Sequence, residues 1–169
     1  MIPMFSIIVV SLNSGEKLTE TVKSIGGQSY TDYEVVVKDG GSKDDSLDKL
    51  RRFLQGEPIL ASRVRIVEER DKSIYEGMNQ AVGKAKGEYF YFLNCGDYFQ
   101  HETSLEEVAE GICRHREQGG TSLIFYGNIY DALRSQIVPS NPHIDDFACY
   151  RNVPNHQSCI YHRSLFSER

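Results

Sequence analysis

Apolar residues along the first two-thirds of the chain follow two alternating rhythms. Short, nearly unbroken runs cover Phe5–Ser11, Tyr33–Lys38, Val64–Val67 and Tyr89–Leu93. Between them, Leu18, Val22 and Ile25, then Leu47, Leu50 and Leu54, then Ile74, Met78, Ala81, Val82 and Ala85 recur every three or four positions. Runs this apolar suit strands covered on both faces, and the wider spacing is that of one helix face. A further helical stripe, Leu105, Val108, Ala109 and Ile112, follows the last of these strands. Strand and helix alternating in this way predict crossover units, and hence an α/β fold: a mostly parallel central sheet with helices on both faces.

Beyond Gly119-Gly120 the alternation stops. Leu123–Tyr130 predicts one longer strand with Gly127 as a bulge, and Ser158–Tyr161 predicts a further short strand. The stretch from Asp131 to Pro154 carries Pro139, Pro142 and Pro154 and no helical stripe, which predicts a long loop or irregular hairpin over one end of the sheet.

Composition narrows the class without changing this outline. The 169 residues, 40% hydrophobic and 25% charged, fit one globular domain. No stretch approaches the ~20 apolar residues of a membrane span. The opening MIPMFSIIVVSLN has neither a basic start nor a small-residue cleavage site, so the expectation is a soluble, cytoplasmic protein. Nineteen Lys and Arg against 24 Asp and Glu give a net charge of −5 with no basic cluster, which argues against a nucleic-acid partner. Cys95, Cys113, Cys149 and Cys159 form no C-x-x-C pair and no metal spacing with histidine, and read as reduced thiols.

In open α/β sheets, ligands bind beyond the carboxyl ends of the strands. Here the four predicted strands exit into Ser11-Leu12-Asn13, Asp39-Gly40-Gly41-Ser42, Glu69-Arg70-Asp71 and Asn94-Cys95-Gly96-Asp97. Each exit has a structural alternative. Ser11, Asn13 and Ser42 also suit caps and turns, Asp71 suits the cap of the helix bearing Ile74 and Met78, and Asp44 and Asp45 suit a helical first turn. Asp39 and Asp97 are harder to explain so, since each closes an apolar run beside glycine. The position after the first strand holds neither G-x-G-x-x-G nor G-x-x-x-x-G-K-[ST]. A bound pyrophosphate would then be neutralised most simply by Mg²⁺ or Mn²⁺, which take carboxylate and phosphate oxygens, and Asp97 is the natural ligand.

The ordered segments FSIIVVSLNSGEKLTETVKSIGGQSYTDYEVVVKDGGSKDDS, ERDKSIYEGMNQAVGKAKGEYFYFLNCGD and NHQSCIYHRSLF resemble the inverting glycosyltransferase family 2, over about residues 4–166. The similarity is greatest to members that assemble capsular or exopolysaccharide repeat units. It implies the GT-A fold and a nucleotide-diphosphate sugar donor, usually a UDP-sugar. It assigns Ser11, Asn13, Asp39, Gly40 and Asp71 to the nucleotide, Asn79, Asn94, His156 and Gln157 to the donor sugar or acceptor, and Asp97 to the metal. His156 and Gln157 also suit a purely structural hydrogen-bonding role. Where many relatives read D-x-D-D, this chain reads Asn94-Cys95-Gly96-Asp97, so the metal is expected to bind weakly before the diphosphate arrives.

The resemblance further implies one domain over residues 1–169, with 1–100 as the donor half and 101–169 as the start of the acceptor half. It puts the catalytic base beyond Arg169, leaving Asp145, Asp146 and His156 as nearby substitutes; Asp145 and Asp146 read mainly as loop surface. His101 and His115 are expected to face solvent. The implied acceptor is a saccharide or a lipid-linked saccharide, used at the inner face of the membrane. Two competing readings are a nucleotide-binding protein without transferase activity and a nucleotidyltransferase. The last would need an early glycine-rich, basic loop that the sequence lacks.

Overall fold

The structure, a computed structural model, describes residues 2–140 and 156–166. The four apolar runs become β1 (Phe5–Ser11), β2 (Tyr33–Asp39), β3 (Val64–Glu68) and β4 (Tyr89–Phe92), all parallel. With β5 (Ile124–Tyr126) and β8 (Cys159–His162) they form a six-stranded sheet of order β3-β2-β1-β4-β8-β5. The last two strands are antiparallel to their neighbours. The chain works outward from β1 to β3 and then returns to the other side of β1 for β4, so the strand order reverses beside β1.

Side-chain alternation along the strands separates two cores. Phe5, Ile7 and Val9 of β1 and Tyr33, Val35 and Val37 of β2 face helices α1 (Glu16–Gly26), α2 (Ser46–Gln55) and α5 (Ser104–Glu117), which contribute Leu18, Val22, Ile25, Leu50, Leu105 and Ile112. On the opposite face Ile8, Val36 and Phe90 meet Ala81 of α4 (Ile74–Val82). Residues of β2 on this second face include Lys38, which is fully buried. A short helix, α3 (Pro58–Ala61), leads into β3, an edge strand that is half-buried instead of covered on both faces.

The predicted strand Leu123–Tyr130 divides. Gly127 and Asn128 interrupt it, leaving β5 in the main sheet, while β6 (Ile129–Asp131) turns away to pair with β7 (Gln136–Val138) in a separate hairpin. The run has enough apolar residues for one strand, but Asn128 Oδ1 accepts the Ser140 amide (3.0 Å), tying the break to the far end of that hairpin. His115 also departs from the expectation. It is half-buried, its ring is edge-on to Phe125 at 5.5 Å, and Nε2 accepts the Ser122 amide. His101 is exposed, and Cys95, Cys113 and Cys159 are free thiols. Cys149, Pro142, Pro154, Asp145 and Asp146 lie outside the described residues.

Buried Gln28 joins the end of α1 to the start of α5. Its Oε1 accepts the Leu105 amide (2.9 Å), and its Nε2 donates to the His101 carbonyl (2.8 Å). Thr103, at the N-cap of α5, makes no side-chain capping bond, so Gln28 supplies that function from a distance. Gln28→Leu leaves both groups unsatisfied and should lower stability by about 1–3 kcal/mol. A urea midpoint unchanged from wild type would contradict this role.

Candidate functional site

Strands β1 and β2 end together, with Ser11 opposite Asp39. Asp39 is 1% exposed. Its Oδ1 accepts the amides of Gly41 (2.9 Å) and Ser42 (2.7 Å), and its Oδ2 accepts the Ser42 hydroxyl. Both carboxylate oxygens thus bind their own turn. Ser42 Oγ in turn accepts the Asn13 amide (2.8 Å), Asn13 Oδ1 accepts the Lys43 amide (2.8 Å), and Asp44 Oδ2 accepts the Gly15 amide (3.0 Å). These bonds lace the loops after β1 and β2 into one wall. Asp44 acts structurally, though from a position just before the N-cap of α2 and not from its first turn. Asp45 stands at the N-cap of α2 without a capping side-chain bond.

A cavity of about 240 Å³ opens beside this wall, lined by Val10, Ser11, Leu12, Asp71, Lys72, Ser73 and Ile74. Ser11 Oγ lies 2.9 Å from Ser14 Oγ. Asp71 does not cap α4. Ser73 does so, its Oγ accepting the Glu76 amide (3.2 Å), while Glu76 Oε2 accepts the Lys72 amide (2.6 Å). The S-x-x-E spacing of Ser73 and Glu76 is the sequence signal that identifies this cap. Asp71 Oδ2 instead binds Lys38 Nζ at 2.7 Å. Gly40 and Gly77 close around it: a Cβ at Gly40 would stand 2.8 Å from Asp71 Oδ2, and one at Gly77 3.0 Å from the same oxygen.

The exit of β4 forms a second polar feature. The Asp97 amide donates to the Asn94 carbonyl (2.9 Å), closing a turn whose Gly96 has φ +100°. Thr21, buried on α1, holds this turn from below: its Oγ1 accepts the Gly96 amide (2.8 Å) and donates to the Asp97 carbonyl (3.0 Å). Asp97 Oδ2 accepts from Gln157 Nε2 (2.9 Å), and the Gln157 carbonyl accepts the Tyr91 hydroxyl (2.8 Å). Burial, and then the Asp97 charge, push the Tyr91 phenol up, which keeps it a neutral donor. Burial also raises the Cys95 thiol, against opposing contacts from Ser14 and Ser11.

Of the residues singled out from sequence, Ser11 and Asp71 meet at the cavity, and Asn94, Asp97 and Gln157 meet at the β4 turn. Asn13, Asp39 and Gly40 form the adjoining wall. Asn79 is exposed near the end of α4, and His156 is exposed at the start of the 3₁₀ turn His156–Ser158. Among the described residues no group of three or more His, Cys, Asp or Glu is placed to hold a metal ion. Asp97 is the one carboxylate in its turn, and its Oδ1 accepts no hydrogen bond from the described residues. Lys38, Thr21 and the Ser73–Glu76 cap were not singled out from sequence.

A mostly parallel sheet whose order reverses beside β1, with a cavity and an acidic turn at its carboxyl edge, makes this a GT-A-type α/β fold. Staphylococcus aureus TarS, solved with UDP-GlcNAc, shares that fold with a TM-score of 0.72 at 22% identity, over 97% of this chain and 46% of that one. The profile described as Glycosyl transferase family 2 matches residues 6–167, and the chain belongs to that family. A PGL/p-HBAD biosynthesis glycosyltransferase of Mycobacterium bovis BCG is 33% identical over 164 residues, covering 97% of this chain and 61% of the relative. The chain thus spans about three-fifths of that relative's length. Escherichia coli chondroitin synthase is 31% identical over 114 residues, 66% of this chain and 16% of that protein. A mannosyltransferase from Pyrobaculum calidifontis, PcManGT, solved with GDP-Man and Mn²⁺, matches 65% of this chain and 32% of its own with a TM-score of 0.59 at 25% identity.

Thr21→Val keeps the shape of the side chain and removes both bonds to the β4 turn. We expect a loss of about 1–3 kcal/mol of stability, read as a lower denaturant midpoint. A variant as stable as wild type would show that the turn holds itself.

Proposed function

We propose that the chain binds a nucleotide-diphosphate sugar, most simply a UDP-sugar, at the carboxyl edge of the sheet, and that the protein transfers the sugar with inversion. The acceptor in this reading is a saccharide or lipid-linked saccharide in surface polysaccharide or glycolipid assembly. The observation that carries it is the pairing, at one sheet edge of a family 2 chain, of the Ser11–Asp71 cavity with the Asp97 turn. The cavity takes the nucleoside and the turn faces the diphosphate. Residues 1–100 then form the donor half, and residues 101–169 begin the acceptor half.

In an inverting transfer the acceptor oxygen attacks the anomeric carbon as its proton passes to a base and the bond to the diphosphate breaks. Charge therefore builds on the leaving phosphate, where electrostatic stabilisation counts most. Asp97 with its open Oδ1 fits a hard cation that completes its coordination with diphosphate oxygens and water. A bound Mn²⁺ or Mg²⁺ would supply charge neutralisation of the leaving group. Gln157 orients Asp97 through its amide, and Tyr91 orients Gln157 through its backbone carbonyl. Asn94 lies on the same turn. Asn79 and His156 are assigned to the donor-sugar and acceptor side. His156, one residue from Gln157, is the candidate base within the chain. No helix among the described residues is long and apolar enough to cross a membrane; in this reading a lipid-linked acceptor is met at the cytoplasmic face of the membrane.

The test is Mn²⁺ titration calorimetry with and without UDP, followed by a panel of UDP-, GDP- and dTDP-sugars assayed for nucleotide release. Mn²⁺ should bind tightly only when UDP is present, and Asp97→Asn should weaken binding of the UDP–Mn²⁺ pair by roughly tenfold or more, the order of one charge-assisted contact. Equal Mn²⁺ affinity without nucleotide overturns the shared-ligand site. The single acid of the Asn94–Asp97 turn favours a second reading, a nucleotide-binding protein without transfer. UDP binding with no nucleotide release from any sugar in the panel would select it.

A further inference from the structure

Lys38 is fully buried, yet its ammonium makes three hydrogen bonds: to the Asp39 carbonyl (3.1 Å), to the Glu69 carbonyl (2.5 Å) and to Asp71 Oδ2 (2.7 Å). A lysine is almost never fully buried unless paired, and an apolar side chain of similar volume in place of a buried ion pair is often neutral or stabilising. Stability alone therefore does not account for a charge at this position. The three acceptors have a common feature. They belong to the end of β2, the end of the β3 exit, and the segment that enters α4, so one ammonium fixes the relative placement of three pieces of the cavity's surroundings.

The carboxylate it holds has little other freedom. Asp71 is seated between Gly40 and Gly77, where neither neighbour has room for a Cβ beside Oδ2. Its side chain is 8% exposed and contributes to the cavity wall. Oδ2 is taken by Lys38, while Oδ1 accepts no hydrogen bond from the described residues. The neighbouring acid, Asp39, has both oxygens engaged by its own turn. Asp71 is thus the carboxylate left with an unused acceptor at the cavity.

We propose that Lys38 is a positioning residue for nucleotide recognition: it pins Asp71 so that the remaining carboxylate oxygen accepts a hydrogen bond from an N–H or O–H of the bound nucleoside. The proposal rests on the donor-site reading above and adds a residue that does not touch the ligand. Lys38 acts only through Asp71, so the two should behave as one unit in binding, while in folding the cost of losing one should be offset by removing the other as well.

A double-mutant cycle on the full chain, with UDP and Mn²⁺ as probe, separates these effects. Lys38→Met and Asp71→Asn should each lower the melting temperature, because each leaves a buried partner unpaired. The K38M/D71N double variant, which buries no charge, should regain most of that loss. UDP affinity should fall roughly tenfold to a hundredfold in each single variant, the scale of one hydrogen bond to a charged group. The double variant should bind no more weakly than the singles and no better. Recovery of UDP affinity together with stability in the double variant would show the pair to be structural only, and overturn the proposal. So would wild-type affinity in folded K38M. A wild-type chain that binds neither UDP nor GDP overturns the donor-site reading itself, and this inference with it.

Discussion

Parallel pairing of β1 with β2, with Ser11 opposite Asp39, is the constraint on which the rest of the site depends. Parallel strands all leave the sheet at the same edge, so every loop that follows a strand is delivered to one place. The register then determines which side chains face each other across that edge. With Ser11 and Asp39 level, the Gly40 amide donates to the Ser11 carbonyl at 2.9 Å, Ser42 Oγ accepts the Asn13 amide, and Asn13 Oδ1 accepts the Lys43 amide. A slip of one residue would reverse the faces of β2, moving Lys38 to the α1 side and Val37 to the α4 side.

Around that edge the structure is stiffened by polar side chains acting over long sequence separations. Lys38 gathers the exits of β2 and β3 beneath the cavity. Thr21 supports the β4 turn from α1, and Gln157, brought alongside by the antiparallel strand β8, holds the Asp97 carboxylate from the other side. Gln28 fastens α1 to α5 in the same manner. Buried polar groups of this kind are costly unless every donor and acceptor is met. Each of these four meets a backbone group or a charged partner. The two cores supply the adhesion, and these contacts determine how the loops stand.

The β4 turn illustrates how two changes of residue type alter the chemistry offered to a ligand. With Asn94 and Gly96 in place of acids, Asp97 is the single charged oxygen donor of the turn, and Gln157 occupies one of its oxygens. Such a turn carries a single negative charge, which is why the proposed reading has its ion arrive with a diphosphate. The cavity side is different in kind, since its carboxylate is already compensated by Lys38. A lone carboxylate at the β4 turn and an ion-paired carboxylate at the cavity give the two parts of the sheet edge distinct electrostatic characters.

Much of the fold was legible in the sequence, because strand and helix periodicity record local burial directly. The four parallel strands, the helices between them and the short strand near Ile160 follow from apolar spacing alone, and the polar exits follow from the rule that loops converge at one sheet edge. The family's ordered motifs were legible for the same reason. What periodicity does not carry is pairing between distant positions. Leu123–Tyr130 has one strand's worth of apolar residues, yet Gly127 and Asn128 let the chain leave the sheet for a separate hairpin. His115 looked like a surface residue until Phe125 from another element covered it. Asp71 resembled a helix cap because Ser73, two residues on, could not be weighed against a lysine thirty-three positions earlier that lies beneath it. Sequence by itself determined which residues prefer strand, helix and turn, since those preferences are local. Only the tertiary structure decided that Lys38 is buried against Asp71 and that Gln157 reaches Asp97. A buried charge or amide is tolerated only where the folded chain brings its partner, and that partner is set by topology.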